Sequence, residues 1–292
     1  MPDTVGQVNL RAENVERVVK GFAELEYKFL QAVTVQSSSS WIESYYRETG
    51  ATLTAGATEN IKGVARGAQP PSGEPSWTKV SSYIDKYMFD GYIYEEDILT
   101  DAFDIQARTL RKVSQAVTGS VDGAIWDDLT EDRTVVNINN VTIASGSEWD
   151  SATAANQNPL GNILSAMQLI AEDNYTEVYQ GGFLFVSPKG YADLMNNATV
   201  RNASQTVNAS DQSNGRMGRI LGLTIVVSNN VTVDYAAVTA GKIAATWKEV
   251  QPLKVDTSYT DVGVRYRVRA WQYGITQLVN PGAVCLITNT QA

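Results

Sequence analysis

The side chains able to do chemistry fall into four groups. Ser76-Trp77-Thr78-Lys79 has the Ser-x-x-Lys spacing with which some acylases set a nucleophilic hydroxyl beside an amine base. Glu95-Glu96-Asp97, and Asp127-Asp128 with Glu131-Asp132, bring carboxylates close enough for acid–base work or for a shared cation. Arg265, Arg267 and Arg269 alternate with Tyr266 and Val268, so a strand here carries three guanidinium groups on one face. Cys285 is the only thiol.

Their surroundings remove most of that chemistry. A catalytic Ser-x-x-Lys opens a buried helix, whereas this one follows the turn-forming run Gln69-Pro70-Pro71-Ser72-Gly73-Glu74-Pro75 and lacks the companion motifs. Glu95-Glu96-Asp97 sits where a helix start favours acid. The second acidic group lies near a helix end, where acid is unfavourable, and reads as a solvated or subunit-contact face, with a bound cation as the alternative. The chain has no histidine, which excludes a Ser-His-Asp triad, a Cys-His dyad and a histidine metal site. One cysteine gives neither an intrachain disulfide nor a cysteine zinc site, and Ala283-Val284-Cys285-Leu286-Ile287 makes it a small buried strand residue. No phosphate-binding Gly-rich loop is present. The expectation is a protein without catalytic activity, cofactor or metal.

The arginines stay open to two readings. One is contact with nucleic acid or an acidic neighbour; the other is cross-strand pairing on a solvated face. With 23 basic against 32 acidic residues, net −9, the chain is not built to neutralise nucleic-acid phosphates generally. No run approaches 18 apolar residues, so no membrane partner is expected. Met1-Pro2-Asp3-Thr4-Val5 lacks a signal-peptide pattern, and folding in a cytoplasm-like compartment is expected.

The elements that would position these groups follow from periodicity. Val15, Val18, Val19, Phe22, Leu25 and Phe29 predict an amphipathic helix over 9–34, ended by Ser37-Ser38-Ser39-Ser40. Trp41, Tyr45 and Tyr46 predict extended chain over 41–49. Residues 50–93 have few core anchors before Val80 and then the run Tyr83, Ile84, Tyr87, Met88, Phe89, Tyr92, Ile93. Such a stretch reads as a long hairpin packed on another molecule, with Trp77, Tyr83, Tyr87 and Tyr92 as its anchors. Leu99, Phe103, Leu110, Val113, Val117, Val121 and Ile125 predict one long helix over 95–129. Val135, Val136 and Ile138, with Val141 and Ile143, predict a hairpin turning at Asn139-Asn140. From Pro159 the texture is αβ: a helix around Ile163–Ile170, a strand at 182–187, a helix at 188–196 and a strand at 220–228. Residues 235–292 read as mostly β, and Val262, Val264, Tyr266 and Val268 alternate with arginines.

This order of segments resembles the major capsid proteins of tailed double-stranded-DNA viruses, an α+β fold of the Hong Kong 97 type. Residues 50–93 resemble that family's E-loop. Tyr94-Glu95-Glu96-Asp97-Ile98-Leu99, running to Asp122-Gly123-Ala124-Ile125-Trp126, resembles its spine helix. Phe183-Leu184-Phe185-Val186-Ser187-Pro188 with Gly218-Arg219-Ile220-Leu221-Gly222-Leu223-Thr224-Ile225-Val226-Val227 resembles its axial αβ domain, and 262–290 its closing strands.

The resemblance implies an N-terminal arm at 1–34, an E-loop at 50–93, a peripheral domain from 35–49, 94–133 and 246–280, and an axial domain from 134–245 and 281–292. It implies a shell subunit forming pentamers and hexamers of an icosahedral capsid around double-stranded DNA, assembled in the host cytoplasm and resident in the virion. Portal, scaffolding and decoration proteins are the implied partners, with the packaged DNA held without sequence preference. An encapsulin-type nanocompartment shell is the alternative within the same fold. Scaffolding is expected to be a separate protein and the N-terminus untrimmed. Trp77, Tyr83, Tyr87, Tyr92, Arg265, Arg267 and Arg269 are the expected assembly residues.

Overall fold

A computed structural model of the chain describes residues 27–48, 66–67, 77–99, 105–130, 138–201, 218–260 and 263–292. The turn at 69–75, Phe103, Val135, Val136, Val262 and the first 18 residues of the predicted 9–34 helix lie outside them.

Two sheets and a long helix form the body. The first sheet has the order β1-β10-β11-β4, from Thr34–Ser37, Ala245–Thr260, Arg265–Leu278 and Asp85–Tyr94. β1 runs parallel to β10, and the other pairs are antiparallel. Pro252 cannot donate to a ladder, and it falls where the β10–β11 register shifts between Gln251 and Lys254. Gly274 on β11 lets the sheet close over Trp247: a Cβ there would lie 2.2 Å from the indole. The second sheet has the order β5-β12-β9-β6-β8-β7, from Asn139–Thr142, Val284–Thr288, Tyr235–Thr239, Phe183–Val186, Leu223–Val227 and Arg219–Ile220. Helices α3 (Pro159–Glu172) and α5 (Pro188–Asn196) begin on Asn158 and Ser187, whose side chains accept from the amides of Gly161 and Gly190. A short α4 (Val178–Gly181) leads into β6.

The long helix joins the two sheets. Of the expected helix over 95–129 the structure describes two helical pieces, α1 (Glu95–Leu99) and α2 (Ile105–Thr130), and 100–104 lie outside the described residues. Leu99, expected at the head of the apolar stripe, is exposed, and within α2 the first buried residue is Leu110. Its first half, Leu110, Val113 and Val117, packs with Ile93, Val268 and Ala270 on the first sheet. Its second half, Val121, Ile125, Trp126 and Leu129, enters the main core with Phe185, Trp247 and Leu286. Gly91 on β4 is what lets α2 approach, since a Cβ there would meet Val113 Cγ2 at 2.6 Å.

Three further expectations are corrected. From Tyr27 onward the predicted 9–34 helix is a single 3-10 turn, Phe29–Ala32, followed by β1. The β-branched run Val33-Thr34-Val35 favours strand, and Phe29 turns inward against Trp126 and Phe185. Asn139-Asn140 is no hairpin turn: it is strand β5, laid parallel to β12 with Asn139 opposite Cys285. The Asn139 amide donates to Asp173 Oδ2 at 2.7 Å, a distant partner that local turn chemistry does not reveal. Residues 220–228 are no single strand either. Leu221 and Gly222 both take positive φ, 50° and 87°, and fold β7 back on β8 as a two-residue hairpin. Cys285 is buried as expected, and burial pushes its thiol pKa up to about 12.

Candidate assembly interface

The stretch read as one hairpin, 50–93, is divided between two sheets. β3 (Trp77–Tyr83) pairs antiparallel with β2 (Ile42–Glu48), so the described arms of the ribbon are 42–48 and 77–83. β4, expected as part of the projecting arm, pairs along its length with β11 of the same chain. Buried Ile93 and half-buried Tyr87 anchor it at home, so the described ribbon is built from β2 and β3 and not from β4. Ile84 sits between the two, its amide donating to the Trp41 carbonyl at the ribbon's base.

Strand alternation gives the ribbon two unlike faces. One carries Ile42, Ser44, Tyr46, Trp77, Lys79, Ser81 and Tyr83, all exposed, with Ile42 at 53%, Tyr46 at 61%, Trp77 at 57% and Tyr83 at 71%. A two-stranded ribbon is marginal in water by itself. Four large apolar side chains on one open face mark a surface that binds something. The opposite face holds Tyr45 and Arg47. Arg47 is buried; its Nε and Nη2 donate to the Leu278 carbonyl at 3.1 and 2.9 Å, and Nη2 also to the Tyr45 hydroxyl at 3.0 Å. That guanidinium fixes the ribbon to the end of β11. Its sequence signal, one arginine beside two tyrosines, does not distinguish it from a surface charge.

The arginines lie on the first sheet, on the face turned away from α2. Arg265, Arg267 and Arg269 stand opposite Tyr94, Tyr92 and Asp90 of β4. Arg269 forms a two-pronged ion pair with Asp90, Nε to Oδ1 at 2.6 Å and Nη2 to Oδ2 at 2.7 Å. The cross-strand reading therefore holds for Arg269, and its guanidinium holds the Asp90 carboxyl below the usual range. Arg265 instead lies over the Tyr92 ring, its guanidinium carbon 4.1 Å from the centroid.

Of the seven expected residues, Tyr92, Arg265, Arg267 and Arg269 thus share one sheet face, while Trp77 and Tyr83 share the ribbon face. Tyr87 belongs to neither. It points inward and half-buried, its ring centroid 6.1 Å from that of Trp247, and burial raises its phenol pKa. Among the described residues no cluster of three or more metal-ligating side chains occurs, and no helix is long and apolar enough to cross a membrane.

The phage capsid protein family model matches residues 79–287. No curated protein matches the chain. Solved structures with a similar fold include the bacteriophage PhiM1 mature capsid, at TM-score 0.65 and 13% identity, covering 91% of this chain and 88% of that one. The Mycobacterium phage Che8 structure aligns at TM-score 0.62 and 20% identity, covering 87% and 86%. A virus-like particle from Pyrococcus furiosus aligns at TM-score 0.62 and 13% identity, covering 94% and 98%.

Proposed function

The chain belongs to the phage capsid protein family, and from that premise we propose that it closes into pentamers and hexamers of an icosahedral shell around double-stranded DNA. It is a major capsid protein of the Hong Kong 97-type fold, a structural component of the virion. The observation that carries the finer reading is the ribbon face of Ile42, Tyr46, Trp77 and Tyr83, left open by its own subunit. Neighbouring copies cover it in the shell, and each subunit covers a neighbour in turn, which is how a repeated contact closes.

In this reading the unit built on the six-stranded sheet lies at the capsomer centre, and the four-stranded sheet with α2 reaches to the capsomer edge. Assembly takes place in the host cytoplasm with scaffolding and portal proteins, and decoration proteins dock on the finished surface. The DNA is enclosed without sequence preference, and with net charge −9 the subunit does not neutralise its phosphates. No catalytic step is assigned to the subunit.

A second reading, a cellular shell of the encapsulin kind, draws on the likeness to the Pyrococcus furiosus virus-like particle. Both readings require self-assembly, and the contents separate them. Particles isolated after expression of the full chain, imaged by negative stain, should be closed shells with five- and six-fold capsomers. A chain that sediments only as a monomer at every concentration contradicts the proposal. Packaged DNA favours the virion, and a protein cargo in a small uniform shell favours the compartment.

A further inference from the structure

The turn that folds β7 back on β8 carries a residue poorly suited to its geometry. Leu221 and Gly222 have φ of 50° and 87°, and positive φ at both central positions is the backbone of a tight hairpin turn whose first place favours Asn, Asp or Gly. Leucine has no side-chain hydrogen bond to ease that conformation, so it bears the full steric cost of the left-handed region. The core does not explain the choice. Ile220 and Leu223, which flank the turn, are buried, whereas Leu221 is 38% exposed. Strain at an exposed tip points to a side chain required there by something outside the subunit.

Helix α4 fixes where that tip sits. A Cβ on Gly222 would lie 3.1 Å from the Tyr179 carbonyl oxygen, so the hairpin rests on α4, and Tyr179 is itself 50% exposed. The 3-10 turn Gly241–Ile243 packs on the same helix, since a Cβ on Gly241 would lie 3.2 Å from the Gly181 carbonyl oxygen, and its Ile243 is exposed too. Three exposed apolar residues from three elements thus gather around α4, rimmed by exposed Glu177, Gln180, Arg219 and Lys242. An apolar centre with a polar rim is the anatomy of a protein–protein contact. The rim sets Glu177 against Arg219 and Lys242, too small an excess of cation to hold a polyanion. β7 is the last strand of its sheet. Copies ranged about a five- or six-fold axis meet side to side, and a sheet near that axis turns its edge toward the next copy. We infer that Leu221, Tyr179 and Ile243 form a contact for a second copy of this chain within the capsomer ring, and that Leu221 keeps its strained place for that contact. The inference rests on the shell reading and adds to it a contact separate from the ribbon.

The test uses the full-length chain purified alone, so that no decoration protein takes part. Leu221→Asn gives the turn a preferred residue and removes the apolar tip, so two readouts should move in opposite directions. Its melting temperature should equal or exceed that of wild type. The subunit concentration needed for particle formation, read by light scattering, should rise roughly ten-fold. A lower melting temperature would show that Leu221 packs within its own subunit, and wild-type assembly would leave the patch to a different partner; either overturns the inference. Tyr179→Ser probes the patch without touching the turn and should raise the assembly threshold as well, and wild-type assembly by this variant also overturns it. Native mass spectrometry places the contact: below the threshold, Leu221→Asn should show fewer pentamers and hexamers relative to monomers than wild type, and an unchanged ratio overturns the placement within the ring. Wild-type chain that never assembles contradicts the shell reading itself, which distinguishes the two failures.

Discussion

Arg47 reaches across from the ribbon to the last residue of β11 and donates twice to the Leu278 carbonyl, at 3.1 and 2.9 Å. The ribbon is therefore not a free arm: one buried charge sets the angle at which its apolar face is presented. The two ends of this contact are 231 residues apart in the chain, so the projecting element is oriented by the closing strands.

Replacing Arg47 by Ala should remove these bonds and leave a buried carbonyl less well satisfied. Hydrogen bonds from charged groups contribute about 1.5–3 kcal/mol each when buried, so a loss of about 2 kcal/mol is expected in denaturant unfolding. Assembly should slow further than that loss explains, because the ribbon's direction is released. Unchanged stability in Arg47→Ala would show that the ribbon is held by other contacts.

Trp77→Ala with Tyr83→Ala should do the reverse. Both side chains are exposed in the subunit, so its stability should move by only about 0.5 kcal/mol. Large aromatic anchors at interfaces contribute about 1–2 kcal/mol or more each, and the subunit concentration needed for particle formation should rise at least ten-fold. Light-scattering titrations measure it, and wild-type assembly by the double variant would remove the ribbon face from the interface.

Gly274→Ala puts a methyl group 2.2 Å from the Trp247 ring in the core. Overpacking of this kind destabilises by about 1–3 kcal/mol. A clear fall in melting temperature is expected, whereas Gly119→Ala, with nothing within 4 Å of the added Cβ, should leave it unchanged or raised.

Stability against pH should be flat near neutrality, since the chain has no histidine. On the acid side, Arg269 holds Asp90 below its ordinary pKa and the Lys189 ammonium does the same for Asp150. A depressed folded-state pKa contributes stability that is complete above the unfolded value, about 4, and is lost as pH falls through the folded value. Asp193 runs the other way: desolvation raises its pKa, so its protonation on mild acidification is stabilising. Melting temperatures from pH 8 to 2 should therefore hold level and then drop below about pH 4. Asp90→Asn should flatten part of that drop. A transition near pH 6 would contradict this assignment.

What was legible in the sequence was local. Ser187-Pro188 announces the start of α5 because cap and first-turn chemistry lie within four residues, and Phe183–Val186 reads as a buried strand from its own apolar run. What was not legible depends on partners far along the chain. Nothing near Trp77 says that its strand pairs with Ile42–Glu48, and nothing near Asn139 says that it lies beside Cys285. Leu221 hid a hairpin because a leucine at positive φ carries no turn signal. The exposed aromatics Trp77 and Tyr83 could be singled out because such side chains lacked core periodicity around them. Arg47 could not, since its burial is decided by the end of β11.

The account turns on the ribbon face being covered when copies assemble, and hydrogen exchange on the free subunit and on particles tests that most directly. Amides of 42–48 and 77–83 should exchange rapidly in the subunit, where the ribbon is two strands wide, and at least ten-fold more slowly in particles. Equal exchange in both states would mean that the ribbon meets no neighbour, and the proposed assembly contact would fail.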